Sequence, residues 1–201
     1  MHKSLKTFVP TITNMIRADH THVLATFHQY EVDTAPGTKR ALVNTICLAL
    51  EVHAQLEEEI FYPAMRGIAG DAGVVAKSIP EHDEMRRLIA RLRDMAADDA
   101  GYDATVMELM RDVLHHVADE ETILLPDAER SLAGRLEELG SAMTRRRLEL
   151  VMPKLPAIAW NQLRALPASN VLVGAGALAL VVMLLGGRRR RSRLRLRRGL
   201  A

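Results

Sequence analysis

Four histidines, His20, His53, His82 and His116, recur at nearly even intervals along the chain. Imidazole is a ligand suited to first-row transition metals. Two of the four open the same short pattern, with Glu57 four residues after His53 and Glu120 four residues after His116. Residues four apart share one face of a helix, so each imidazole and carboxylate can address the same ion. The neighbouring residues repeat as well. Asp19-His20 precedes His53, Glu57, Glu58, Ile60 and Pro63, and Glu81-His82 precedes His116, Glu120, Glu121, Ile123 and Pro126. The paired histidines are separated by 33 and 34 residues. Two His-x3-Glu units and two single histidines supply four nitrogens and two carboxylates, a donor set that suits a bridged pair of metal ions.

Such a set works only if the chain brings the histidines to one depth. The turn signals sit where this requires them, near the midpoints between successive histidines: Pro36-Gly37, the stretch holding Gly67, Gly70 and Gly73, and Asp98-Asp99-Ala100-Gly101. The spacing predicts helices over residues 9–31, 38–66, 74–97 and 103–125, with Thr11 or Thr13 capping the first. Pro36 and Gly37 are expected to end the first connection, Pro63 to bend or stop the second helix, and Pro80 to interrupt the third near its start. The expected architecture is all-α: an up-down-up-down four-helix bundle over residues 1–130, then a charged helical extension over 131–150. Residues 151–167, with Pro153, Pro156 and Pro167, are expected to form a linker.

Composition agrees with a helical fold, since aromatic residues are only 3% of the chain. The single cysteine, Cys47, lies in an apolar run and reads as a buried, inert thiol, so no disulfide framework is available. The net charge of +2 conceals an asymmetry: all 25 acidic residues lie in the first 150, and eight arginines crowd into residues 188–201. Between them, Val171 to Gly187 carries no charge. Extended back through Ser169 and Asn170, this stretch reaches the roughly 20 residues of a membrane span. The sequence is therefore expected to be a single-pass membrane protein, with a transmembrane helix over 168–187 and lipid contact through residues 168–201. The opening residues do not read as a signal peptide, and the head is expected on the cytoplasmic face. No nucleic-acid partner is expected, because the arginine run directly follows the apolar segment and holds no aromatic residue. Phosphate loops, nucleophile triads and zinc-type cysteine spacings are absent from the sequence.

The repeated Asp/Glu-His together with His-x3-Glu-Glu-x4-Pro resembles the hemerythrin-like family, also called the HHE cation-binding domain, over residues 12–130. The resemblance implies a non-haem centre of two irons per chain. His20 and His53 would hold one iron, His82 and His116 the other, and Glu57 and Glu120 would bridge them. It also implies a small partner, a diatomic gas or a peroxide, so the function expected is binding or sensing of oxygen, nitric oxide or peroxide. Redox turnover of such species is the enzymatic version of the same site. One feature departs from the oxygen-carrying members, which place a second histidine one turn after the first on the third helix. Here that residue is Arg86. His22, His28 and His115 are read as lying outside the centre, and Glu58, Glu59 and Glu121 as a solvated face. Because ligand imidazoles must be neutral, metal loading is expected to fall below about pH 6. The alternative is a metal-free helical bundle acting as a structural or partner-binding module at a membrane.

Overall fold

A computed structural model describes residues 10–66 and 72–165. Helix α1 (Ile12–Phe27) begins at Thr11, whose Oγ1 accepts the Asn14 amide at 3.3 Å. Helix α2 (Pro36–Leu56) starts on the proline that was expected to close the preceding connection. Proline is tolerated there because its fixed φ suits the first turn and its missing N–H has no intrahelical acceptor. Helix α4 (Ala72–Asp94) runs through Pro80 without interruption, where the proline was expected to break it. Helix α5 (Tyr102–Asp119) follows Gly101, whose φ of 90° only glycine adopts readily.

Both His-x3-Glu helices change pitch at the glutamate. Glu57–Phe61 and Glu120–Leu124 are π-helical turns, each followed by a short α segment, α3 (Tyr62–Met65) and α6 (Leu125–Ser131). The cause lies in Pro63 and Pro126. Neither has an N–H for the carbonyl four residues back, and the pyrrolidine ring collides with that carbonyl in a regular α-turn. The helix widens instead, and the amides of Tyr62 and Leu125 donate five residues back to the carbonyls of Glu57 and Glu120. Pro63 therefore marks a π-turn within a helix that ends two residues later, at Met65.

Helices α1, α2, α4 and α5 form the bundle, with α1 on α2 and α4 on α5. Two apolar clusters fill it. One, with Phe27, Ile46, Leu88 and Leu109, lies toward the 28–35 and 95–101 turns. The other, with Ile16, Leu56, Phe61 and Leu124, lies at the opposite end. The histidines form a polar layer between them. Past the bundle, α7 (Leu136–Val151) crosses α1 and α2. Its Gly140 sits so close to the start of α1 that a Cβ there would lie 2.1 Å from the Pro10 carbonyl oxygen. The stretch read as a linker holds a 3-10 turn and α8 (Leu155–Ala165), which lies along α2.

One expectation is corrected. Among the described residues no helix is long and apolar enough to cross a membrane. The four bundle helices are amphipathic, burying one stripe in the core and carrying charge on the other. The transmembrane helix in the expected fold class and the single-pass membrane localisation are overturned on that ground. Segment 168–187 and the arginine-rich residues 188–201 lie outside the described residues.

Candidate metal centre

The layer between the two apolar clusters contains all six expected ligands. His20 comes from α1, His53 from α2, His82 from α4 and His116 from α5; Glu57 and Glu120 stand at the first positions of the two π-turns. All six are buried, none more than 5% exposed. Imidazoles and carboxylates are costly to bury unless paired or metal-bound. Their donor atoms fall into two overlapping groups, His20–His53–Glu57–Glu120 and Glu57–His82–His116, each within 4.8 Å throughout.

Every imidazole turns Nε2 inward. His53 Nε2 lies 3.2 Å and His82 Nε2 3.4 Å from Glu57 Oε2. His20 Nε2 lies 3.2 Å and His116 Nε2 3.6 Å from Glu120 Oε2. Four of these inward atoms, His20 Nε2, His53 Nε2, Glu57 Oε1 and Glu120 Oε2, make no hydrogen bond among the described residues. Buried polar atoms are nearly always satisfied, so four together facing one point are a strong structural signal.

Every Nδ1 turns outward to a carboxylate. His20 meets Glu121 at 2.9 Å, His82 meets Glu58 at 2.8 Å, His116 meets Glu81 at 3.0 Å and His53 meets Asp19 at 3.4 Å. With a carboxylate as acceptor, Nδ1 carries the proton and Nε2 is left free to ligate. Each carboxylate is in turn held by a cation: Arg17 on Glu121, Arg86 on Glu58, Lys77 on Glu81 and Arg147 on Asp19. Arg86 is part of this outer ring. Its guanidinium reaches outward to Glu58 at 2.7 Å and Asp83 at 2.9 Å rather than into the centre.

Tyr62 is the buried residue the sequence did not announce. It is 0% exposed, and its hydroxyl lies 2.9 Å from Glu120 Oε1, 3.2 Å from Glu57 Oε2 and 3.4 Å from His82 Nε2. The π-turn explains its position. Residues five apart diverge on an α-helix, but a turn closed by an i→i+5 bond puts Tyr62 over Glu57.

Charges inside the layer are mutually dependent. Burial alone would raise Glu57, yet His53, His116 and His82 hold it well below the ordinary carboxylate range. Burial opposes a charged His116, but Glu57 and Glu81 outweigh it and push the imidazole up to about 10. His20 is likewise raised against its burial by Glu120, Glu57 and Glu121. Burial, with the Glu57 and Glu120 carboxylates adding to it, lifts the Tyr62 phenol well above its usual range. Without metal, the pocket thus draws protons in to balance its carboxylates.

A cavity of about 10 Å³ adjoins the imidazoles, walled by Val23, Leu50, Met85 and Val113. That is room for about one water-sized molecule.

The sequence reading missed the outer carboxylates. Glu58 and Glu121 were assigned to a solvated face, whereas only Glu59 is exposed, paired with Arg146. The signal was present in the repeat: an acid directly before each first histidine and directly after each ligand glutamate. As expected, His22, His28 and His115 are exposed and stay outside the layer.

With this geometry in place, comparison with known proteins gives three findings. The family model of the hemerythrin HHE cation binding domain matches residues 11–128. A Nostoc protein described as a DNA nickase is 28% identical over 127 residues, 63% of this chain but only 36% of that protein's length. A crystal structure of a hemerythrin HHE cation binding domain-containing protein from Mycobacterium kansasii superposes with a TM-score of 0.58 at 19% identity, covering 82% of this chain and 98% of the other. At that identity the likeness concerns the fold.

Proposed function

The chain belongs to the hemerythrin HHE cation binding domain family, and we propose that its cation centre is a pair of non-haem irons serving to bind or sense oxygen, nitric oxide or a peroxide. His20, His53 and Glu120 would hold one iron, His82 and His116 the other, and Glu57 would be shared between them; Glu120, a second bridge by the family resemblance, falls only in the first donor group. The observation that carries this is the pair of overlapping buried donor groups, the first of which leaves four inward atoms without hydrogen bonds. Nitrogen and carboxylate oxygen, without thiolate, suit iron. The His82–His116 group has one donor fewer than its neighbour. The Tyr62 hydroxyl is placed to supply the missing one, or to hold a proton toward a ligand bound there. When bound, the irons supply a redox-active, electron-rich site for a small electron acceptor. The chain's own residues fix each imidazole through its Nδ1 and leave room for only a small guest.

A bundle serving only as a packing or docking module gains nothing from four unsatisfied buried donors, which disfavours the metal-free alternative. The nicking activity in the Nostoc relative's description is not carried over. The present chain spans about a third of that protein, and a cavity of about 10 Å³ behind buried ligands does not admit a phosphodiester. The test is metal analysis with an electronic spectrum of aerobically purified protein. The expected result is two irons per chain with near-ultraviolet charge-transfer absorption. Zinc alone, or no metal, would refute the assignment.

A further inference from the structure

A second cavity, of about 190 Å³, lies where α7 and α8 cover α1 and α2. Exposed His22 and Gln162 stand at its edge, and Thr45, Ala49, Val52 and Ile158 line it. It shares two walls with the small cavity beside the imidazoles, Asp19 and His53. That partition is pinned from α7, because Arg147 donates to Asp19 Oδ1 at 2.7 Å and Oδ2 at 2.5 Å, and Asp19 Oδ2 is also the His53 partner. A surface groove of about 490 Å³ beside Glu58 and Arg86 shares no wall with the inner cavity.

We propose that the outer cavity is the antechamber through which small neutral or monoanionic molecules reach the centre, and that Arg147 is a positioning residue whose grip on Asp19 holds His53 and sets their rate of entry. Three observations support it. Among the described residues the two cavities share as walls the pair that Arg147 holds, Asp19 and His53. The bidentate, charge-assisted pairing is of the strong kind, so moving Asp19 aside requires breaking it. Arg147 and most of the antechamber roof lie beyond residues 11–128, so α7 and α8 add to the family core a control over access. Azide entry, the loaded-protein measurement, rests on the di-iron assignment above.

The test uses the full chain loaded with iron, with azide as the probe, and follows binding by stopped-flow absorbance. Loss of a charge-assisted pair lowers the barrier enough that Arg147→Met is expected to raise the azide association rate about tenfold. Ala49→Phe, which fills the antechamber, is expected to lower it by a similar factor and to leave the spectrum of the azide-bound form unchanged. If azide binds but neither variant changes the rate, the proposal is overturned. A metal-free measurement separates the two claims. In the apoprotein, Arg147→Met is expected to speed solvent exchange of the His53 Nδ1 proton, seen by NMR, and leave that of His82 unchanged. Equal exchange in wild type and variant would overturn the positioning role, whatever metal the protein holds.

Discussion

The half built from α1 to α3 and the half built from α4 to α6 use one plan with one substitution at its centre. Each contributes a lone histidine, a His-x3-Glu pair, a proline-induced π-turn and two outer carboxylates. The halves interlock, since Glu121 of the second steadies His20 of the first and Glu58 of the first steadies His82 of the second. At the residue that the π-turn swings over the ligand glutamate, however, the first half has Tyr62 and the second has Leu125. The repeat therefore supplies a near-symmetric metal scaffold, and the tyrosine makes its two positions chemically unequal. Glu57 belongs to both donor groups and Glu120 to one, which deepens the inequality.

The largest effect should come from testing the two glutamates against each other. Glu57→Gln is expected to remove metal from both positions, and Glu120→Gln to reduce it chiefly at the His20–His53 position; metal content per chain reads both. Equal losses would mean that the halves are equivalent after all. The outer carboxylates should show the symmetric side of the plan. Glu58→Gln and Glu121→Gln are each expected to weaken metal affinity by about 10–100-fold, measured by competition with a chelator.

Tyr62→Phe probes the asymmetric residue. It leaves two buried carboxylates without their donor, and chemical denaturation of the metal-free variant is expected to show a loss of about 1–3 kcal/mol. In the iron-loaded protein, loss of any visible phenolate-to-iron band in this variant would show that Tyr62 ligates. An unchanged spectrum with altered stability would leave it as the proton holder.

A smaller effect concerns pH. His116 has its folded value raised to about 10 from 6.5, so its contribution to the metal-free fold is complete below about pH 6.5 and is lost as pH rises through about 10. Glu57, Asp19 and Glu81 are lowered, so theirs is present above their ordinary values and lost as pH falls through the lowered ones. The metal-free protein should then lose thermal stability between pH 6.5 and 10, while metal, which replaces those protons, should flatten the decline. Melting temperatures with and without chelator check this. The same shift extends proton competition above the limit of about pH 6 that ordinary imidazoles would set.

The convergence of the four histidines and two glutamates was legible because helical periodicity fixes what an i, i+4 pair can face, and because turn signals fell midway between the histidines. The outer carboxylates were not, since an acid beside a ligand looks like surface until its neighbouring helix is known. Tyr62 was hidden by the π-turn: Pro63 read as a bend or a stop, and only the widened turn brings the tyrosine inward. The packing of α7 and α8 depends on contacts such as Gly140 against Pro10, which carry no periodic signature.

The central claim is a pair of irons held in that layer by side chains from both halves. Anomalous diffraction at the iron edge, from crystals of protein purified without added metal, tests it most directly. The account predicts two iron peaks in the layer, one beside His20 and His53 and one beside His82 and His116, with Glu57 between them. A single peak, or anomalous signal at the zinc edge alone, would contradict it.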